Sequence, residues 1–149
     1  MGNDGIESDA LKNSNIDVLH VTPFRSYPTD VTTSILKKYE YLRWAKDTSY
    51  IVEDDFNSEF FKPGQPVETL YSLDSNNRVI YINTFSKSLS PSMRVGYMIL
   101  PDKLLEVYKQ KLGGFSCSVP VLDQYVLAEY ISSGNFERHL NRMRRKEKL

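Results

Sequence analysis

Residues that could carry chemistry concentrate between positions 79 and 100, in the stretch VIYINTFSKSLSPSMRVGYMIL. An apolar run leads to a turn with Thr84, Ser86 and Lys87, and Arg94 then precedes a second apolar run. Hydroxyl and guanidinium groups can hold a phosphate, while a lysine amine beside them stays available for covalent chemistry. The pattern predicts an anion-binding hairpin with Lys87 pointing into it. The alternative is a polar loop with a solvated lysine.

Length and composition limit the class of protein. The chain has 149 residues, 40% of them hydrophobic, and a formal net charge of zero, which suits one compact domain and argues against a dedicated nucleic-acid binder. The single cysteine, Cys117, leaves no internal disulfide and fits a reducing, cytoplasmic setting. Apolar stretches are too short for a transmembrane helix and the polar start does not resemble a signal peptide, so we expect no membrane contact.

The surrounding sequence alternates between strand and helix patterns. Short apolar runs predict four strands, near residues 18–22, 50–54, 79–84 and 95–100. Between the first two strands, helical spacing predicts a helix capped by Thr29 or Asp30, with a core stripe of Val31, Ile35, Tyr39, Leu42 and Ala45. The succession of strand, helix and strand indicates parallel strands, and the hairpin makes the fourth strand antiparallel.

Further helices are expected before and after this unit. Short ones are predicted near residues 8–12 and 69–73, and longer ones from Asp102, from a cap at Ser118 and from Asn135. Their candidates for burial include Leu104, Leu105, Tyr108, Leu112, Leu122, Tyr125, Val126, Tyr130, Phe136, Leu140 and Met143. The polar residues 1–15 are expected to be loosely held. His20, inside an apolar run, is expected to be a packed core residue.

The carboxyl ends of the predicted parallel strands bring distant residues together. Ligands of such sheets bind beyond these ends, which places Tyr27, Asp54 and Lys87 at the same edge. The acidic run that contains Asp54 has an alternative role, because hard cations such as Mg²⁺ prefer carboxylate ligands. That alternative is weakened because no partner acid recurs at suitable spacing. The basic residues of the last helix also have two interpretations. They could contact nucleic acid, or they could only complement the dipole at the C-terminus of the helix.

Three segments together resemble a known family. Thr84-Phe85-Ser86-Lys87, Glu53-Asp54-Asp55-Phe56 and Tyr27-Pro28-Thr29 are similar to segments of fold-type I pyridoxal-phosphate (PLP) proteins of the class I/II aminotransferase group. The resemblance is strongest to the aminotransferase-like domain of MocR-type (GntR family) transcription regulators. It implies a three-layer α/β/α fold with a mainly parallel sheet and one antiparallel strand. It also implies PLP as the cofactor, an amino acid or amine as the ligand and a homo-oligomer.

The resemblance implies a role for each matching residue. Lys87 matches the Schiff-base lysine, and Asp54 matches the aspartate that pairs with the pyridine nitrogen. Thr84, Ser86 and Arg94 match the phosphate-contacting positions. Tyr27 matches a position beside the ring.

Departures from the family pattern bear on activity. Phe56 stands where a tyrosine usually bonds the phenolic oxygen of the cofactor, and a phenylalanine cannot make that bond. Asp30 replaces a usual glycine, and Tyr27 replaces the asparagine of true aminotransferases. These changes favour a sensor over an efficient transaminase.

The resemblance covers residues 5–145, whereas a complete family member is more than twice as long. It implies that residues 1–134 are the latter half of the large PLP-binding domain and that residues 135–149 begin the interdomain helix. The resemblance implies that the DNA-reading domain, the glycine-containing phosphate loop and the small domain lie outside these 149 residues. We therefore expect a fragment of a regulator that senses an amino compound and contacts DNA only through an absent domain. The alternative is a fragment of a free-standing class I/II aminotransferase. The isolated chain is expected to bind PLP weakly and not to transaminate.

Overall fold

A four-stranded sheet organises the computed structural model, which describes residues 2–26, 28–45, 48–60 and 67–146. The strands are β1 (Val18–Val21), β2 (Tyr50–Asp54), β3 (Val79–Thr84) and β4 (Gly96–Ile99). The helices are α1 (Ser8–Lys12), α2 (Ile35–Trp44), α3 (Leu70–Leu73), α4 (Phe85–Ser88), α5 (Asp102–Leu112), α6 (Val121–Ser132) and α7 (Asn135–Lys146). A 3₁₀ turn at Ser58–Phe60 follows β2. The strands and the hairpin therefore form where the sequence predicted them.

The sheet has the strand order β1-β2-β3-β4, with the first three strands parallel and β4 antiparallel to β3. Ile51 lies opposite Leu19 on one side and Val79 on the other, and these side chains form the centre of the core. The alternate residues face the other way, where Val18 is 52% exposed. The chain thus has the α/β fold with a mainly parallel sheet and one antiparallel strand. Among the described residues, no helix is both long and apolar enough to cross a membrane.

The N-terminal segment is fixed to the core, so the prediction of a loosely held start is wrong. Leu11 of α1 is 3% exposed and belongs to the core cluster. The backbone N–H of Ile6 donates to the Tyr41 hydroxyl at 2.7 Å. The buried Leu11 side chain and this hydrogen bond hold the segment on the core although most of its residues are polar.

Helix α2 begins later than predicted. Ser34 caps it by accepting a hydrogen bond from the Lys37 backbone N–H. Asp30 instead lies in a turn at a φ of 56°, and its N–H donates to the Ser26 carbonyl. The predicted core stripe is only partly confirmed, because Leu42 and Ala45 are buried but other members are not. Tyr41 is 1% exposed, whereas the predicted stripe members Ile35 and Tyr39 are 40% and 41% exposed.

The predicted apolar faces of α5 and α6 are largely exposed. Pro120, not Ser118, precedes the first residue of α6. Leu122 and Tyr125 are 72% and 73% exposed, and Leu127 is the buried residue of this helix. Helix α6 packs against α7, whose Leu140 is buried, and these contacts leave the remaining apolar side chains at the surface.

Candidate cofactor site

Glu53, in the acidic run at the carboxyl end of β2, faces the core. It has no exposed surface, and its two carboxylate oxygens accept hydrogen bonds from the backbone N–H groups of Leu70 and Tyr71, each at 2.8 Å. Burial raises the pKa of this carboxyl group to about 7. Glu53 therefore ties β2 to the start of α3.

Asp55 is the second buried acid. It accepts hydrogen bonds from the Tyr81 hydroxyl at 2.7 Å and from the backbone N–H groups of Ser58 at 2.8 Å and Asn57 at 3.2 Å. Burial, together with Asp55, raises the pKa of Tyr81, so this hydroxyl stays protonated as a donor. The three bonds shape the loop that leaves β2.

Asp54 points to the opposite face of the sheet, as strand alternation requires. Its side chain is 37% exposed, and its Oδ2 lies 3.4 Å from Nε2 of His20. The His20 side chain is 58% exposed, so the prediction of a packed core histidine is wrong. Val18, two residues before His20 on the same face, is also exposed. Asp54 is thus the one acid of the run that is open to a ligand.

This division of the acids counts against the magnesium alternative. Glu53 and Asp54 project to opposite faces, and the oxygens of Glu53 and Asp55 are occupied by protein donors. In the part of the chain that the structure describes, no group of three His, Cys, Asp or Glu side chains could hold a metal ion.

The turn after β3 is built by Thr84. Its hydroxyl accepts from the Ser86 backbone N–H at 3.1 Å and donates to the Val95 carbonyl at 3.2 Å. The first bond caps the single-turn helix α4, and the second joins it to the approach to β4. Thr84 lies on the same face as Asp54, because Asp54 pairs with Ile82 two residues earlier.

Ser86 and Arg94 come together across the hairpin. The Ser86 hydroxyl donates to the Met93 carbonyl at 2.7 Å, and Nη1 of Arg94 lies 3.4 Å from that hydroxyl oxygen. Arg94 also lines a cavity of 390 Å³ with Ser90, Ser92 and Ser118. Hydroxyl and guanidinium donors of this kind are suited to an anion.

Lys87 lies in α4 with its amine against the loop that follows β2. Its Nζ donates to Oδ1 of Asn57 and lies 5.4 Å and 4.9 Å from the ring centroids of Phe56 and Phe60. Asn57 is buried, and its Nδ2 contacts the Phe24 carbonyl at 3.3 Å, which orients Oδ1 towards the amine. These contacts place the Lys87 amine between the rings of Phe56 and Phe60 and the Asn57 amide.

Asn57 and Phe60 were missed by sequence reasoning. Their only signal is their position just after the acidic run, at the carboxyl end of a parallel strand. Tyr27 lies outside the described residues. Arg94 contacts Ser86, and Lys87 contacts the β2 loop, whereas Asp54 contacts His20 on the open face. Asp54, Lys87 and Arg94 thus lie near one edge of the sheet in separate local contacts.

Comparisons with known proteins agree with this fold. The chain is 39% identical over 142 residues to the HTH-type transcriptional regulator YhdI of Bacillus subtilis, covering 95% of the chain and 30% of that protein. It is 36% identical over 129 residues to the probable rhizopine catabolism regulatory protein MocR of Rhizobium meliloti, covering 86% of the chain and 26% of the relative. No family model matches the chain.

Among solved structures, the chain superimposes on kynurenine aminotransferase of Pyrococcus horikoshii with a TM-score of 0.80 and 26% identity, covering 97% of the chain and 38% of that structure. That enzyme was crystallised with PMP, its substrate and its product. The chain thus spans only about a third of the length of the proteins it matches. In sequence, the chain is thus homologous to part of the MocR-type HTH regulators, and in fold it matches part of the fold-type I PLP-dependent aminotransferases.

Proposed function

We propose that this chain is the PLP-binding segment of an aminotransferase-like domain in a MocR-type transcription regulator that senses an amino acid or amine. The observation that carries the proposal is the hairpin after β3. There Lys87 directly follows Ser86, whose hydroxyl lies against the Arg94 guanidinium. Its donors suit a phosphate, and its lysine suits an aldehyde. The relatives YhdI and MocR are named as regulators, which favours sensing.

Each residue of the site has a proposed task. When bound, PLP supplies an aldehyde that captures amines and a ring that accepts electron density. The Lys87 amine would hold the cofactor covalently, and Arg94, Ser86 and Thr84 would contact its phosphate. The Asp54 carboxylate would keep a proton on the pyridine nitrogen, which requires an oxygen that is open rather than occupied. Asp54 meets that requirement with its 37% exposed side chain.

Phe56 favours a sensor over an efficient enzyme. Its ring lies 5.4 Å from the Lys87 amine but carries no hydroxyl to contact the phenolic oxygen of the cofactor. The alternative is a segment of a free-standing aminotransferase, which the likeness to the Pyrococcus horikoshii enzyme supports. The two differ in turnover. A sensor would bind an amino compound without steadily converting a 2-oxo acid.

The wider assembly is also part of the proposal. Residues 1–134 would form the latter half of the large domain, and residues 135–149 would begin the interdomain helix. DNA would be contacted by a domain outside this chain, because the formal net charge of this chain is zero. The protein would act in the cytoplasm. The exposed apolar side chains of α6 support a homo-oligomer.

A cofactor-trapping experiment tests the proposal. The purified chain is mixed with PLP, reduced with borohydride and digested, and the modified lysine is identified by mass spectrometry. We expect modification at Lys87 with saturable, weak binding, and its loss in Lys87→Ala. The matched control is Lys109→Ala, which removes an exposed lysine paired with Glu106 and should leave trapping unchanged. Uniform modification of surface lysines, with none preferred, would overturn the proposal.

A second step separates the sensor from the enzyme. An amino acid and a 2-oxo acid are added to the PLP-loaded chain, and the new amino acid is followed by chromatography. A spectral change without product accumulation shows that an amino compound reaches the bound cofactor, as a sensor requires. Steady product formation favours the aminotransferase.

A further inference from the structure

Helix α7 contacts both ends of α4, the single-turn helix that carries Lys87. The ring of Phe136 meets the ring of Phe85 edge-on, with centroids 5.8 Å apart. Nε2 of His139 lies 2.9 Å from the Ser88 carbonyl oxygen. Because a carbonyl can only accept, the imidazole must donate and carries its proton on Nε2. Ser88 has no exposed surface, so solvent cannot replace this donor without rearrangement.

The same helix also reaches the 3₁₀ turn on the other side of the lysine. Nε of Arg144 donates to the Glu59 carbonyl oxygen at 2.5 Å, and Nη1 donates to Asn141 at 3.2 Å. The next residue after Glu59 is Phe60, whose ring lies 4.9 Å from the Lys87 amine. Helix α7 therefore binds the backbone that carries Lys87 and the turn that faces its amine.

The contacting residues lie on one face of α7. Phe136, His139, Leu140 and Arg144 follow the spacing of three and four residues that aligns side chains along a helix. Leu140 is buried and anchors the middle of this face. A shift of the helix would therefore act on α4 and the 3₁₀ turn at the same time.

We infer that α7 braces α4 against the 3₁₀ turn and that His139 and Arg144 are positioning residues for Lys87. The Lys87 side chain is exposed, and the brace holds its amine at Asn57 and the Phe60 ring, so a displacement of α7 releases the amine from these contacts. Its use in cofactor capture rests on the proposed function, whereas the brace itself concerns only contacts within this chain. Neither residue touches the amine directly.

The reactivity of the Lys87 amine tests the brace without any cofactor. The folded chain is briefly treated with acetic anhydride, and acetylation is measured at each lysine by mass spectrometry. Exposed Lys103 serves as the reference, and buried Lys38, whose amine donates to the Glu68 carbonyl at 2.6 Å, reports on the fold. We expect His139→Leu to raise the Lys87-to-Lys103 rate ratio about fivefold, the effect of one lost hydrogen bond. Lys38 should remain protected.

Two further variants distinguish positioning from general stability. His139→Gln keeps a donor and should return the ratio to within about twofold of the unchanged chain. Arg142→Leu alters an exposed residue of α7 and should have no effect. An unchanged ratio in His139→Leu with Lys38 still protected overturns the inference.

The experiment must also decide the question if His139→Leu unfolds the chain. If His139→Leu exposes Lys38 as well, Arg144→Gln decides the question, because it removes the Glu59 contact and leaves the contacts of α7 with α4 in place. A raised Lys87 ratio there supports the brace, and an unchanged ratio overturns it. The acetylation experiment uses no PLP, so its result does not depend on the proposed function. Failure of the unchanged chain to trap PLP at Lys87 would reject the proposed function alone.

Discussion

His20 and Asp54 face each other across strands β1 and β2, with Nε2 of the imidazole 3.4 Å from Oδ2 of the carboxylate. Both side chains lie on the face of the sheet opposite the core, because His20 pairs with Val52, two residues before Asp54. The imidazole lies within ion-pair distance of the carboxylate, so the two side chains are in direct contact. Asp54 thus has a neighbour on β1 and is still open to a ligand.

Replacing either member of this pair should weaken PLP binding, by different amounts. Asp54→Asn removes the charge that would pair with the pyridine nitrogen, so we expect about a tenfold loss or more, the value of one charge-assisted hydrogen bond. His20→Leu removes only the orienting contact and should cost about threefold. PLP titration followed by absorbance measures both, with the exposed Asp17→Asn as the control. A larger effect of His20→Leu than of Asp54→Asn would contradict this ranking.

The neighbouring acid should affect stability instead. Asp55→Asn keeps an acceptor for the Ser58 N–H but places an amide donor against the Tyr81 hydroxyl, which already receives the Asn83 amide at 3.0 Å. We expect the free energy of unfolding to fall by about 1–3 kcal/mol, the cost of a buried unpaired donor. Urea denaturation measures it, and Asp54→Asn serves as the matched control with a smaller loss. Equal losses in the two variants would show that the buried contacts of Asp55 contribute little.

Glu53 should make the stability of the fold depend on pH. Burial raises the pKa of its carboxyl group from 4.5 to about 7, so the folded protein holds this proton over a range where the unfolded chain has released it. The free energy of unfolding should therefore fall as the pH rises from about 4.5 to about 7, by up to about 3 kcal/mol, and then level off. Glu59, whose pKa burial also raises, acts in the same direction.

The difference between two chains isolates the contribution of Glu53. Urea unfolding is measured from about pH 5 to about pH 8 for the unchanged chain and for Glu53→Gln. The variant should be less stable at low pH, because its amide cannot accept from both Leu70 and Tyr71, and its slope should be shallower. Parallel pH profiles for the two chains would contradict the assignment to Glu53.

The sheet and its hairpin could be predicted because their signals are local. The apolar run of β3 ends at Thr84, whose side chain caps α4, and β4 follows after one polar loop. The start of α2 could not be predicted in the same way. Thr29, Asp30 and Ser34 are all suitable caps, and the choice depends on the turn in which Asp30 N–H bonds the Ser26 carbonyl.

The environment of the site depended on tertiary contacts that sequence patterns do not record. The apolar run around His20 suggested a core position, yet strand alternation turns its side chain to the other face, next to Asp54. Lys38 is buried although it is charged, because its amine reaches the Glu68 carbonyl and the Phe24 ring. Asn57 carries no recognisable motif, and only the fold brings it to Lys87.

The exposed apolar residues of α6 predict self-association. Leu122 and Tyr125 are 72% and 73% exposed, and Phe115, just before the helix, is 77% exposed. Burying such side chains against a second copy would stabilise a dimer by about 1.5–3 kcal/mol each. We expect concentration-dependent dimers in sedimentation velocity, and Leu122→Glu combined with Tyr125→Glu should weaken them by at least about tenfold. Glu129→Gln, at another exposed position of α6, should leave the equilibrium unchanged. A monomer at all concentrations would contradict the prediction, because the apolar surface would then be stable in water without a partner.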